Sequence, residues 1–427
     1  MARAIGFGIV AIPTVLAVTH LFAQTPETFV SRDHAAIQYS TRATTDPVTR
    51  VNQQLRSGQL RLSFDAPGGY LRSILSALDI SPSSQTLVFS ENSLQRQLIS
   101  LAAPRAIYFN DAVTVGFAKG ADTIEVATQD PAQGVAFYQL SQKPQPTPQF
   151  VRGTQCLECH LTAMTTGVPG LFVMSVLPLS DNQNEYAQGW ATDHRTPVED
   201  RWGGWYVTGS QVPRRHLGNV PVSHVPRSYV RAAVAPTLTS GTDAFDTSAY
   251  LSPHSDVVAL LVLNHQVHMV NLLTRLGWEA RIADFEAQSG TTSGQSTRVR
   301  DLARELVDYV LFVDEAVLPS AVRGSSSFAQ EFSSKGPRDG KGRSLRDLYL
   351  TGRLLRYPCS YMIYTEAFDT LPSAAKDLVY ERLWEILSGK EIQAVYARLS
   401  LADRRAVVEI LRDTKRDLPA YFQAVAR

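Results

Sequence analysis

The spacing of apolar residues changes twice along the chain, and the changes divide it. Leu71, Ile74, Leu75 and Leu78 recur at helical intervals and predict a short helix over residues 70–78. From Thr86 the pattern shifts to short runs rich in β-branched and aromatic residues, at 86–89, 106–109, 113–117, 123–127 and 135–140. Asn110-Asp111, Lys119-Gly120 and Asp130-Pro131 punctuate these runs as turns. Together they predict a small antiparallel sheet over about residues 84–141. Residues 24 to about 70 carry few periodic cues and read as an extended lead with one short helix. Gln142-Lys143-Pro144-Gln145-Pro146-Thr147-Pro148 is a proline-rich connector, extended by default. Residues 149–250 show little periodicity and many Gly, Pro, Trp and Arg. Irregular backbone of this length inside a compact protein usually has a function, and wrapping a bound group would supply one.

From Ser255 the pattern turns helical. Ser255-Asp256 caps an apolar run over 257–276, with Gly277 as its stop. Residues 299–318 place Leu302, Leu306, Tyr309, Val310, Val313 and Val317 on one helical face. The polar, Gly-rich stretch 325–342 reads as a mobile loop, and 344–356, 374–388, 390–399 and 402–416 as further helices. The expected class is α+β and mainly helical: a small antiparallel β region, an irregular segment, then a helical C-terminal lobe. The corresponding boundaries are 1–23 as a signal peptide, 24–148, 149–250 and 251–427.

Composition changes this picture little. The 427 residues, 44% hydrophobic and 19% charged with a net charge of +1, suffice for a large core and give no reason to expect nucleic acid as a partner. Arg3 followed by the apolar run 5–18 and Leu21-Phe22-Ala23 reads as an export signal. No later stretch approaches 18 uninterrupted apolar residues, so no membrane span is expected beyond the N-terminal signal or an uncleaved anchor. Asp181-Asn182-Gln183-Asn184-Glu185 has calcium-loop composition without the EF-hand length and reads as a polar turn.

The most specific chemistry lies in Cys156-Leu157-Glu158-Cys159-His160. Two cysteines three apart, the second followed by histidine, form the C-x-x-C-H pattern of haem c attachment. The spacing lets Cys156 and Cys159 reach two vinyl groups of one porphyrin while His160 binds the iron from the proximal side. A redox dithiol expects a thioredoxin-like βαβ context, which the pattern does not supply. A zinc site needs a second ligand pair, and the remaining cysteine, Cys359, stands alone and reads as a buried small hydrophobe. Through this motif the chain resembles the c-type cytochromes, which implies one covalently bound haem c, iron and electron transfer. It also resembles exported bacterial haem proteins in Thr192-Asp193-His194-Arg195-Thr196-Pro197, in Arg201-Trp202-Gly203-Gly204-Trp205-Tyr206-Val207-Thr208-Gly209 and in Arg215-His216-Leu217-Gly218-Asn219. Thioether attachment outside the bacterial cytoplasmic membrane and the export signal imply one compartment, the periplasm. More than half the chain follows His160, and no Met sits in a Pro-flanked ligand loop, so the simple class I cytochrome fold is not expected.

Function then turns on the sixth position of the iron. Three histidines are distal candidates. His265 projects from the apolar run 257–276; His194 sits in a polar turn beside Asp193 and Arg195; His216 follows Arg214-Arg215. Each also has a plain structural reading, as a satisfied core histidine, a surface turn or a solvated loop. Trp202, Trp205 and Tyr206 read first as core filling and second as packing at a haem edge, with Gly203-Gly204 allowing close backbone approach. The leading expectation is a periplasmic monohaem cytochrome passing single electrons to a redox partner protein. The alternatives are a haem enzyme with an open distal site, such as a peroxidase using Arg215 and His216, and a haem-stapled sensor or protein-binding scaffold.

Overall fold

The structure is a computed structural model that describes residues 29–65, 68–176, 189–220, 235–290 and 295–423. The export-signal stretch 1–23 and the polar turn at 181–185 lie outside the described residues. The fold is mixed α+β, 38% helical and 14% strand, so helix outweighs sheet as the periodicity implied.

The lead segment supplies helix α1 (Pro47–Ser57), whose start and stop follow from its ends. Asp46 accepts a hydrogen bond from Thr49 N at 2.9 Å, Pro47 opens the first turn, and Gly58 closes the helix at φ +72°. Helix α2 (Leu71–Ala77) follows. Strands β1 (Thr86–Val88), β2 (Arg105–Phe109), β3 (Val113–Phe117), β4 (Thr123–Asp130) and β5 (Gly134–Ser141) form an antiparallel meander. Two short strands from the irregular segment extend it. β6 (Val151–Arg152) pairs with β5, and β9 (Trp205–Tyr206) with β1, giving the order β6-β5-β4-β3-β2-β1-β9. Between them lie helix α3 (Leu157–His160) and a separate hairpin of β7 (Val173–Val176) and β8 (Gly189–Thr192).

Alternation along the strands gives the sheet two different faces. Ala106, Tyr108, Val115, Ile124, Val126, Ala136 and Tyr138 pack with Val51, Leu55, Leu71, Ile74 and Leu75 of α1 and α2. The opposite face carries Ile107, Thr114, Gly116, Glu125, Ala127 and Phe137, and it borders a large cavity.

Across that cavity runs α4 (Val257–Gln288), the central helix of the molecule. Asp256 caps it by accepting from Val258 N at 2.8 Å, and the same carboxylate accepts from Ser325 N and Ser326 N. The stop expected at Gly277 does not operate. Gly277 is buried within the helix, and the following turns are held by tertiary contacts: Trp278 Nε1 donates to Gln133 O, and Glu279 pairs with Arg275 at 2.8 Å and Arg298 at 2.6 Å. Packing overrides a propensity cost of about 1 kcal/mol. The helix is long and apolar enough to span a membrane, but its most apolar window is 94% buried in protein, as befits a core helix.

Among the described residues the remaining helices are α5 (Gln295–Val310), α6 (Phe328–Ser334), α7 (Glu366–Asp369), α8 (Ser373–Leu387) and α9 (Leu401–Thr414). Three local expectations are corrected. Residues 344–356 form turns and not a helix, because Ser344 and Asp347 side chains take up local backbone N–H groups (Ser344 N to Asp347 Oδ2 3.0 Å, Arg346 N to Ser344 Oγ 3.1 Å). The stretch 390–399 holds only one tight turn, Ala394–Arg398. The polar stretch 325–342 contains α6, anchored by buried Phe328 and Phe332.

Candidate functional site

The connector does not swing free. Tyr70 N donates to the Gln142 side chain (3.1 Å) and Gln145 N donates to Tyr70 Oη (3.0 Å), which fixes the path into β6. Gly153 N then bonds Phe137 O at 2.9 Å, so the motif hangs directly from the sheet edge. Cys156 caps α3, and His160 N bonds Cys156 O at 2.9 Å, closing a single helical turn. On one turn, positions i, i+3 and i+4 share a face, so Cys156, Cys159 and His160 project together.

They project into a cavity of about 910 Å³, toward the upper end of the ~300–1,000 Å³ typical of cofactor sites. The floor is the sheet face, with small residues Thr114, Gly116 and Ala127 at its centre; Leu263 and Val267 of α4 close another wall. Phe172, Val173, Met174 and Trp205 complete the enclosure, and Glu91, Arg96 and Arg105 bring charge to it.

His160 is held by what surrounds it. Its Nδ1 lies 3.0 Å from Gly170 O, and Gly170 N donates to His160 O at 2.9 Å. A carbonyl only accepts, so Nδ1 carries the proton and Nε2 keeps its lone pair. The ring contacts Phe137 at 5.0 Å and Phe172 at 5.3 Å between centroids. Burial, and then the Arg105 charge, bring its pKa down to about 4, so the imidazole is neutral at pH 7 and able to bind a metal. The Gly170-Leu171 segment is itself clamped by Asn271 of α4, whose Oδ1 accepts from Leu171 N at 2.9 Å and whose Nδ2 donates to Leu171 O at 2.7 Å. A Cβ on Gly170 would strike the Asn271 side chain.

Both thiols are free. Burial and the nearby Glu125 raise the Cys156 pKa, the opposite of the lowered value that activates a redox C-x-x-C thiol. Among the described residues, no group of three or more His, Cys, Asp or Glu is placed to hold a metal ion. Cys359 is fully buried, and burial pushes its thiol up to about 12, as for an inert core residue.

None of the three distal histidine candidates lines this cavity. Leu263 and Val267 face it, while His265, between them on α4, points the other way. Its Nε2 meets Ser360 Oγ at 2.7 Å, its Nδ1 meets His194 Nδ1 at 2.7 Å, and its ring stacks on Phe312 at 4.4 Å. His194 is in the same buried cluster, stacked 4.1 Å from Tyr309, while the adjacent Asp193 and Arg195 form the local ion pair of the turn. His216 is buried edge-on to Trp202, and Arg215 beside it is exposed. A distal role for any of them would require a rearranged core. The aromatic cluster divides: Trp205 lines the cavity, whereas Trp202 is fully buried with Nε1 on Asn264 Oδ1 (2.8 Å), and Tyr206 packs on the far face of the sheet. The close approach at Gly203 is to the β7 backbone, where a Cβ would strike Val176 O.

The lining residues that the sequence did not single out include Arg105, Gly116, Glu125 and Phe137. One signal was present: a glycine inside the run Val113–Phe117 marks close approach to something else. Searches of protein-family models, curated proteins and solved structures find no match for this chain.

Proposed function

We propose that the chain is a monohaem c-type cytochrome of the periplasm that passes single electrons to a partner protein. The observation that carries the reading is the meeting of the C-x-x-C-H turn with the wall of a cofactor-sized cavity. A haem held there would supply a one-electron iron couple. Cys156 and Cys159 provide the thiols for its two thioether links. His160 would offer Nε2 to the iron, with the Gly170 carbonyl fixing its tautomer and ring orientation and raising its basicity. Thr114 and Ala127 are small side chains on the sheet face, the Arg105 guanidinium lies over Gly116, and Leu263, Val267 and Phe172 would give a bound group apolar walls. The irregular segment earns its length by supplying the motif, Trp205 and both strands of the β7–β8 hairpin.

The lining also bears on the sixth position. Among the described residues the lining holds no histidine apart from His160, and its thioether side chains are Met164 and Met174. Met174, whose Sδ accepts from Asn92 Nδ2 at 3.7 Å, would be the side chain to hold the iron in the electron-carrier reading. Because His265, His194 and His216 do not line the cavity, one other reading stands beside it, an enzyme with an open distal site but without the Arg215–His216 pair. Optical and EPR spectra of the haem-loaded protein, with and without carbon monoxide, separate the two. Low-spin ferric iron, no carbon monoxide shift and conversion to high spin in Met174→Ala support the carrier. High-spin iron that binds carbon monoxide rapidly in the unaltered protein would replace it with the open-site reading.

A further inference from the structure

The helical lobe carries an exposed surface that the cavity does not explain. Two of its segments, 316–321 and 392–402, contain one charged residue between them, Arg398, in a chain that is 19% charged. Ile392 is 89% exposed, Val317 62% and Leu401 51%, and Pro319 and Val395 are exposed as well. Polar contacts hold the segments edge to edge. Arg398 Nη1 donates to Glu315 O at 2.8 Å, which ties the one cation to the neighbouring segment. Leu318 N donates to Gly352 O at 3.0 Å. The next residue, Arg353, lies over the ring of exposed Tyr349 and pairs with Asp403 at 2.9 Å. An apolar surface with an ion pair on its margin has the anatomy of an interface. Among the described residues, none beyond Val267 lines the cavity, so this surface is separate from it.

We propose that a second copy of the chain docks on this face, as an isologous dimer. Single exposed leucines and valines are ordinary, but a nearly uncharged apolar surface built from three neighbouring segments is what interfaces bury. Two features choose the occupant. A surface that meets its own copy sets like charge against like charge, and this one has almost no charge to set. A partner steered in by electrostatics would need the opposite. The extent fits too. A specific interface uses about 20–30 residues a side, and the positions of 316–321, 349–353 and 392–403 that are not buried come to the lower end of that range. The proposal does not depend on the haem reading, because no cavity residue takes part in it.

The test is sedimentation velocity of the full-length chain over a concentration series from micromolar upward. The unaltered chain is expected to sediment as a dimer. Ile392→Asp and Val395→Asp each bring a carboxylate, and by symmetry its copy, into the contact. Each is expected to weaken the dimer by about 100-fold, the scale of a lost anchor residue. Both side chains are exposed in the single chain, so the fold is expected to survive, read as an unchanged far-UV circular dichroism spectrum. Phe285→Asp, which alters an exposed ring on α4 beside His34, is expected to dimerise like the unaltered chain. A chain that stays monomeric throughout the series overturns the proposal, and so does a dimer that survives both substitutions on the face. Neither result touches the haem reading, because all four proteins are expected to carry the same haem content.

Discussion

Two histidine environments in this protein look alike in sequence and differ in what they can do. His160 gives one ring nitrogen to Gly170 O and keeps the other beside a large cavity. His265 has both nitrogens engaged, by Ser360 and His194, in a cluster that also contains Tyr309 and Phe312. Both imidazoles are neutral at pH 7, because burial brings His160 down to about 4 and His265 to about 3. Neutrality therefore does not make a ligand. An unspent nitrogen with space in front of it does, and that depends on tertiary packing.

The largest test of the comparison is removal of the anchors. Cys156→Ala with Cys159→Ala is expected to abolish covalent haem, read as haem staining of the denatured chain, whereas His265→Ala retains it. If His265→Ala lost the cofactor from an otherwise folded protein, the two regions would not be separate. His265→Ala should instead cost about 2–4 kcal/mol in urea unfolding, since it leaves His194 and Ser360 short of partners in a closed core. A smaller effect is expected from Asn271→Ala, which releases the clamp on Gly170-Leu171. We expect a loss of about 1–3 kcal/mol together with a changed spectrum, because the loop orienting His160 is loosened. An unchanged spectrum would mean that Gly170 holds the ring without help from α4.

The smallest test is pH. His265, His268 and His216 have folded pKa values lowered to about 3, 4 and 4 by burial, against 6.5 when exposed. The unfolded chain then binds more protons, so the stability they contribute is complete above about pH 6.5 and is lost as pH falls toward 4. Carboxyl groups such as Glu315, pushed up to about 7 by burial, act in the opposite sense and blunt the slope. The midpoint of thermal unfolding should fall between pH 6.5 and 5, less steeply in His265→Asn. A midpoint rising over that interval would contradict the neutral-core account.

How much was legible in the sequence follows from the same contrast. The five meander strands and the capped start of α4 are local matters of period and capping, and the structure contains them. The run of α4 past Gly277 is not local, because Trp278, Glu279 and their distant partners sustain it. Turn formation over 344–356 depends on Ser344 and Asp347 competing for backbone donors that a helix would have used. The sequence could offer His265, His194 and His216 only as residue types, since which face of α4 meets the cavity depends on how the sheet packs against it. The floor of the site escaped notice for the same reason: Arg105, Gly116 and Glu125 are ordinary strand residues until three strands bring them side by side.

The most direct test of the central claim is the intact mass of the mature protein, produced by secretion in a host that attaches haem c. The account predicts one species heavier than the polypeptide by a single haem, with Cys156 and Cys159 unreactive toward a thiol reagent after denaturation. A mass equal to the polypeptide alone, with both thiols modified by the reagent, would contradict it.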